Sequence, residues 1–393
     1  MRLAAVAAAF VIAFAAPAAA GVGKYGPPGA ARVLVLVPGL GGGAGNFSLI
    51  APELVARVPN LQVWTVDRRG DDLEDPTGFA TGDPGAAYGY YLGGVPANGR
   101  TFDANVAFGV PQARAWGAAF ALADLRRVVL AARAGGKRKV FLGGHSLGAA
   151  TAAAYATWDF TGRAGYRDLT GLVLIDGGAL GTFGTPTLGR VRSDLAALAT
   201  QPTPFEDRLG VGVPWLFGVF AQLAALHAQL APDAPSALAQ SPLVPPEFRL
   251  PGAPTNAEFF AYALGPAGID VANCGLENAA RMVGARGQNS FDWYFPTRLR
   301  IDLLGASSLR LDPVTRLLGL RVRHLREVDV PVYAFATRDV PRTLDGARKL
   351  VSRSRSPRSK ALLVRDPRLR HVDPLCTPYS KSRFLQTLVR WLR

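Results

Sequence analysis

The sequence predicts an α/β protein: a mostly parallel central sheet with helices on both faces, interrupted by one large, mainly helical insertion. Three observations lead there. Apolar runs of strand length alternate with helical stretches on both sides of a single interruption. Those runs are nearly continuous rather than alternating, as expected of strands covered on both faces. The chain has 393 residues, 49% of them hydrophobic, which is enough for a sizeable core.

From the N-terminus, "MRLAAVAAAFVIAFAAPAAA" has one Arg, an apolar run from Leu3 to Ala16, Pro17, and the small residues Ala18, Ala19 and Ala20 before Gly21. Residues 1–20 therefore read as a secretory signal peptide, too short and alanine-rich for a membrane span, and export is the expected localisation. Residues 21–177 and 328–393 read as the core. "RVLVLVPGLGG" is a buried strand running into a glycine loop, and "LQVWTVDRRG" is the next strand. "RAWGAAFALADLRRVVLAARA" is an amphipathic helix. In "KVFLGGHSLGAATAAAYATWDF" a strand meets a helix-forming alanine run at Ser146, with Gly144 and Gly148 two residues to either side. Small neighbours let the chain turn sharply there and hold the hydroxyl out. "LTGLVLIDGG" is a strand ending at Asp176, "VDVPVYAFATRD" one ending at Asp339, and "KALLVRDPRLRH" one leading to His371 before the closing helix "SKSRFLQTLVRWLR".

Residues 178–327, rich in Pro, Ala and Leu, form the interruption, which is too long for a structureless loop. They read as a cap over Ser146, because connections at the C-terminal ends of parallel strands surround the ligand site; a separate domain is the rival reading. Within them Trp215, Leu216, Phe217, Phe220 and Leu223 can share one helix face, either covering the site or packing inside the cap.

The formal charge is +15, from 44 Lys and Arg against 29 Asp and Glu. The basic run near the C-terminus has no interleaved aromatics and no recognition motif, so nucleic acid is not an expected partner; weak contact with a polyanionic cell envelope is. Cys274 and Cys376 are the two cysteines, and a disulfide and two buried thiols are both open. A disulfide would tie the insertion to the segment after His371.

A serine nucleophile needs a base, usually His, and a carboxylate to orient it. Of four histidines, His145 adjoins the serine, His227 lies in an apolar helix and His324 in a basic segment, all of them read as structural or exposed. His371 follows the last strand. Asp339 ends the strand before it, giving the order Ser146, Asp339, His371; Asp176, one strand earlier, is the alternative acid. Asp373 reads as holding its own turn.

On "PGLGG", "VDRRG", "GGHSLGA", "FATRD" and "RHVDPL", the chain resembles the α/β-hydrolase superfamily across 32–180 and 328–393. That resemblance implies an acyl-enzyme serine hydrolase, secreted and esterase- or lipase-like, with no metal or organic cofactor and a small-molecule or lipid ester as substrate. It implies an oxyanion hole from the backbone N–H groups of Leu40 and Leu147. Pro38 stands where the superfamily's loop usually has His. Amidase, peptidase and acyltransferase chemistry use the same triad, and a non-catalytic hydrolase-like binding module is a further alternative. "VDRRG" reads as structural, and "YGYYLGG" as pocket mouth or core.

Overall fold

Strands form where the apolar runs are, with one addition. The computed structural model describes residues 21–242, 250–284, 289–356 and 358–393, so the leader expected at 1–20 lies outside the described residues. The strands are β1 (Val22–Tyr25), β2 (Arg32–Val37), β3 (Leu61–Val66), β4 (Lys139–His145), β5 (Gly171–Ile175), β6 (Val332–Ala336) and β7 (Ala361–Arg365). They form one sheet in the order β1-β3-β2-β4-β5-β6-β7. Every neighbouring pair is parallel except β1, which runs antiparallel to β3 on the edge. Sequence reading missed β1 because Val22-Gly23-Lys24-Tyr25 has neither length nor a β-branched run.

The alternation of side chains sorts each strand between two cores. Leu34, Leu36, Phe141, Val173, Tyr333 and Phe335 pack with Ile50, Leu54, Phe384 and Leu388. Val33, Val35, Leu142, Leu172 and Leu174 pack on the other side with Leu122, Val129, Ala149 and Leu350. Helices Ile50–Arg57 and Arg383–Leu392 therefore cover one face, and Ala118–Arg133, Leu147–Thr157 and Thr343–Arg353 the other. Chain order along the sheet reverses between β2 and β4. In such sheets a crevice opens at that point, beyond the carboxyl ends of the strands.

The long insertion is built into this frame. Its helices Leu216–Leu230, Asn256–Leu264 and Leu276–Val283 pack on one another. Helix Thr297–Gly305 lies against Leu147–Thr157 and Ala118–Arg133. Val322 bridges to Trp158, and the N–H groups of Arg323 and His324 both donate to the Thr157 carbonyl. Residues from Thr297 onward thus share the core that covers the sheet. Of the five apolar residues of the proposed helix face, Trp215, Phe220 and Leu223 are buried in the core. Trp215 packs edge-on to Phe102, with ring centroids 4.8 Å apart, and donates its indole N–H to the Ala104 carbonyl at 3.1 Å. Phe220 stacks edge-on to Phe259. In "YGYYLGG", Tyr90 and Tyr91 are core residues.

Candidate active site

Ser146 occupies the corner between β4 and helix Leu147–Thr157, with φ 55° and ψ −124°. A non-glycine residue with positive φ is strained, typically by about 1–3 kcal/mol, and such strain persists only where surroundings impose it. Here they do. A Cβ at Gly144 would stand 2.2 Å from the Gly148 carbonyl carbon, one at Gly148 2.0 Å from the Val37 carbonyl oxygen, and one at Gly177 2.1 Å from the Ser146 carbonyl oxygen. The three glycines let the serine turn, the end of β2 and the end of β5 close on each other. The Ser146 N–H donates to the Ile175 carbonyl at 2.9 Å, fixing the corner to the neighbouring strand.

His371 lies in the loop after β7. Its Nδ1 is 2.6 Å from Oδ2 of Asp176, a fully buried carboxylate at the end of β5. Asp176 also accepts from Thr337, N–H to Oδ1 at 2.6 Å and Oγ1–H to Oδ2 at 2.8 Å. A carboxylate can only accept, so Nδ1 carries the proton and the neutral ring's Nε2 is left basic.

The geometry sets Asp176, the alternative acid, rather than the preferred Asp339 against the imidazole. Asp339 Oδ2 accepts from the backbone N–H of His371 at 2.9 Å and approaches Arg370 Nε at 3.4 Å. It stands on the main chain of the histidine while Asp176 holds the ring. The reason is the path of the chain: β5 lies beside β4, and the 371 loop folds back across the end of β6 to reach it.

His145 has a larger part than sequence suggests. It is buried, its Nε2–H donates to the His371 carbonyl at 2.8 Å, and the two rings lie 4.6 Å apart. Burial, and then the proximity of His371, lower its pKa to about 3, so it is a neutral donor. Asp373 does hold its own turn, accepting from Arg370 N–H at 2.7 Å, and it also accepts from Asp270 N–H at 2.8 Å and Asn273 Nδ2 at 2.7 Å in the insertion. The Val372 N–H donates to Gly268, where a Cβ would sit 2.7 Å from that of His371. Cys274 and Cys376 form a disulfide, with Cα atoms 5.1 Å apart, so the insertion grips the histidine loop covalently. The one metal-like cluster among the described residues, Cys274, Asp373 and Cys376, has both sulfurs committed to that bond.

Leu40 lies in the loop after β2 and Leu147 opens the helix after Ser146. Among the described residues neither backbone N–H has a protein acceptor, as a pair of donors awaiting an oxyanion requires. The "VDRRG" segment braces this loop. Asp67 Oδ1 accepts from Ala44 N–H at 2.6 Å, and the Arg68 guanidinium donates to the carbonyls of Gly42, at 2.9 Å, and Pro38. Arg68 thus ties both ends of the Pro38–Gly42 loop to the segment after β3. The structural role of "VDRRG" was legible in sequence but the loop it braces was not, nor was the part played by His145; adjacency to Ser146 and to the glycine loop was the available signal.

No protein-family model and no curated protein matches the chain. Among solved structures it is similar to a putative lipase from Sulfolobus solfataricus at 16% identity, covering 93% of this chain and 86% of that one, with a TM-score of 0.55. It also aligns with a monoacylglycerol lipase of Paleococcus ferrophilus at 14% identity, covering 95% and 98%, with a TM-score of 0.43. A thermophilic esterase from Thermogutta terrifontis aligns at 15% identity, covering 95% and 92%, with a TM-score of 0.43. The chain has the α/β-hydrolase fold.

Proposed function

We propose that the protein is an exported serine hydrolase that cleaves carboxylic esters. The observation that carries this reading is the His371 Nδ1 to Asp176 Oδ2 contact of 2.6 Å, at the same sheet edge as the strained Ser146 corner. In the reaction, His371 Nε2 takes the Ser146 hydroxyl proton as Oγ attacks the ester carbonyl. The oxyanion forms against the N–H groups of Leu40 and Leu147, each typically worth about 3 kcal/mol in such sites. Collapse breaks the bond to the alcohol oxygen, which takes the proton from His371. Water, deprotonated by the same nitrogen, then releases the acid and restores Ser146. Buried Asp176 keeps the imidazole in the productive tautomer and stabilises it while charged.

A disulfide suits an oxidising compartment and supports export. The neighbour with the same fold named a putative lipase makes esters the first substrates to try. The test is a fluorophosphonate probe together with a p-nitrophenyl ester series from acetate to palmitate, beside amide analogues. The wild-type protein should be labelled at Ser146 and turn over esters, while folded Ser146→Ala does neither. Labelling at another residue, or full turnover by Ser146→Ala, overturns the mechanism.

A further inference from the structure

Gly21, the residue after the expected leader, sits among acids. Its carbonyl accepts the Asp67 N–H at 2.9 Å, extending the β1–β3 pairing by one residue. The position of a Cβ on Gly21 lies 3.3 Å from Asp67 Oδ2 and 3.5 Å from Asp71 Oδ2. In glycine that position and the nitrogen are related by a rotation of about 120° around the Cα–C bond, with nearly equal bond lengths. A free amino nitrogen can therefore reach ion-pair distance of both carboxylates by one rotation. With the peptide bond to residue 20 intact, the nitrogen is an uncharged amide and the preceding chain opposes that rotation.

The site is short of positive charge. Asp67, Asp71, Glu74 and Asp292 interact with one another, with Tyr25 and with Arg68 as the nearest cation. Asp292 is more than nine-tenths buried, and its Oδ2 has no hydrogen-bond partner among the described residues; Arg68 Nη1 approaches it only to 3.6 Å. Burial first, and then neighbouring acids, push Asp67 up to about 8 and Asp71 up to about 6. Burial likewise raises Asp292 to about 6, opposed by Arg68.

We infer that hydrolysis of the Ala20–Gly21 bond creates a group this site receives: the α-ammonium of Gly21 turns onto the carboxylates of Asp67 and Asp71. This rests on the export part of the functional reading and on Ala18-Ala19-Ala20 as the processing site. In the cut, catalysed by a processing peptidase, water supplies the hydroxyl that leaves Ala20 as a carboxylate, and the nitrogen departs with Gly21 and is protonated. The consequence reaches the glycine loop, because the same Asp67 accepts from Ala44 N–H and its neighbour Arg68 holds Gly42 and Pro38. Removal of the leader thereby helps to fix the loop bearing Leu40. Glycine is suited to the position because any Cβ would crowd Asp67.

The experiment compares two forms of the chain, each verified by intact mass: one beginning at Gly21 and one carrying a single extra Ala before it, each also as Asp71→Asn. Melting temperatures are read from pH 5 to pH 9, and the Gly21 amine is titrated by its rate of acetylation. The Gly21 form is expected to melt about 1–2 °C higher than the extended form at pH 8. Asp71→Asn should remove most of that difference, and the amine should titrate above the ordinary range of about 7.7–8.0. Equal melting temperatures, a difference that survives Asp71→Asn, or an ordinary amine pKa overturns the inference. None of these readouts depends on the protein cleaving an ester, so a failure of the functional reading is seen separately.

Discussion

Asp176 and Asp339 both follow strands on the C-terminal side of Ser146, and they do different things. The Asp176 carboxylate accepts three hydrogen bonds, one of them from the His371 ring, whereas among the described residues the Asp339 carboxylate meets only the backbone of His371 and the nearby arginines. Replacing Asp176 by Asn keeps the shape but offers an N–H where an acceptor is needed. Turnover of a p-nitrophenyl ester by Asp176→Asn should fall by about 10³- to 10⁴-fold with folding intact. Asp339→Asn retains one oxygen for the His371 N–H and should keep kcat within about tenfold. The reverse ranking in kcat would return the orienting role to Asp339. The two were indistinguishable in sequence because spacing along the chain does not measure reach across a sheet. The Ser146 corner and the placing of His371 in the loop after β7 were legible, since a strained corner needs glycines at fixed offsets and the last strand runs straight into that histidine.

The loop that carries His371 is short of regular structure and depends on what surrounds it. The segment from Gly265 to Cys274 meets it with the disulfide, the Asp373 hydrogen bonds and the Arg370 Nη1 contact to the Gly265 carbonyl at 3.0 Å. The bridge spans 102 positions, a closure worth about 4–5 kcal/mol in the chain-entropy account. The double variant Cys274→Ala, Cys376→Ala should melt about 5–6 °C lower, and it should lose more in kcat than in KM because the base rather than the pocket loosens. A variant with unchanged melting temperature and kcat would show that the hydrogen bonds alone hold the loop. That insertion and base would touch was readable from the two cysteines only as one of two options. The division of the insertion was not readable at all: helix Thr297–Gly305 has apolar residues suited to a cap or a core, and its packing on Ala118–Arg133 and Leu147–Thr157 decides between them.

Stability as a function of pH should show two limbs with separate origins. His145 is neutral in the fold, with a pKa near 3 against the ordinary 6.5, so unfolding takes up a proton. Its contribution is complete above about pH 6.5 and is lost as pH falls toward 3. Asp67 has the opposite sense. With the Ala20–Gly21 bond intact its pKa is about 8 in the fold against the ordinary 3.8, so unfolding of that form releases a proton and its contribution is lost as pH rises from about 4 to about 8. Melting temperature should therefore pass through a maximum between about pH 4 and pH 6.5. Asp67→Asn should flatten the alkaline limb and His145→Gln the acidic one; limbs unchanged in both variants would place the responsible groups elsewhere. The architecture around these residues was largely legible. Six of seven strands follow from apolar runs, since a sheet covered on both faces leaves little choice of residue, while edge strand β1, only partly buried, left no such trace.

The Cys274–Cys376 bond also makes the last quarter of the protein a covalent circle. Strands β6 and β7, helix Thr343–Arg353 and His371 all lie between the two cysteines, whereas Ser146 and Asp176 lie outside. A trypsin cut after Arg353 or Arg355, in the exposed basic stretch before β7, opens the circle without releasing a fragment. The nicked chain should run as one band on a non-reducing gel and as two after reduction. It should go on hydrolysing ester for as long as the bond stands, so a single reduction step converts a tolerated wound into a lost base.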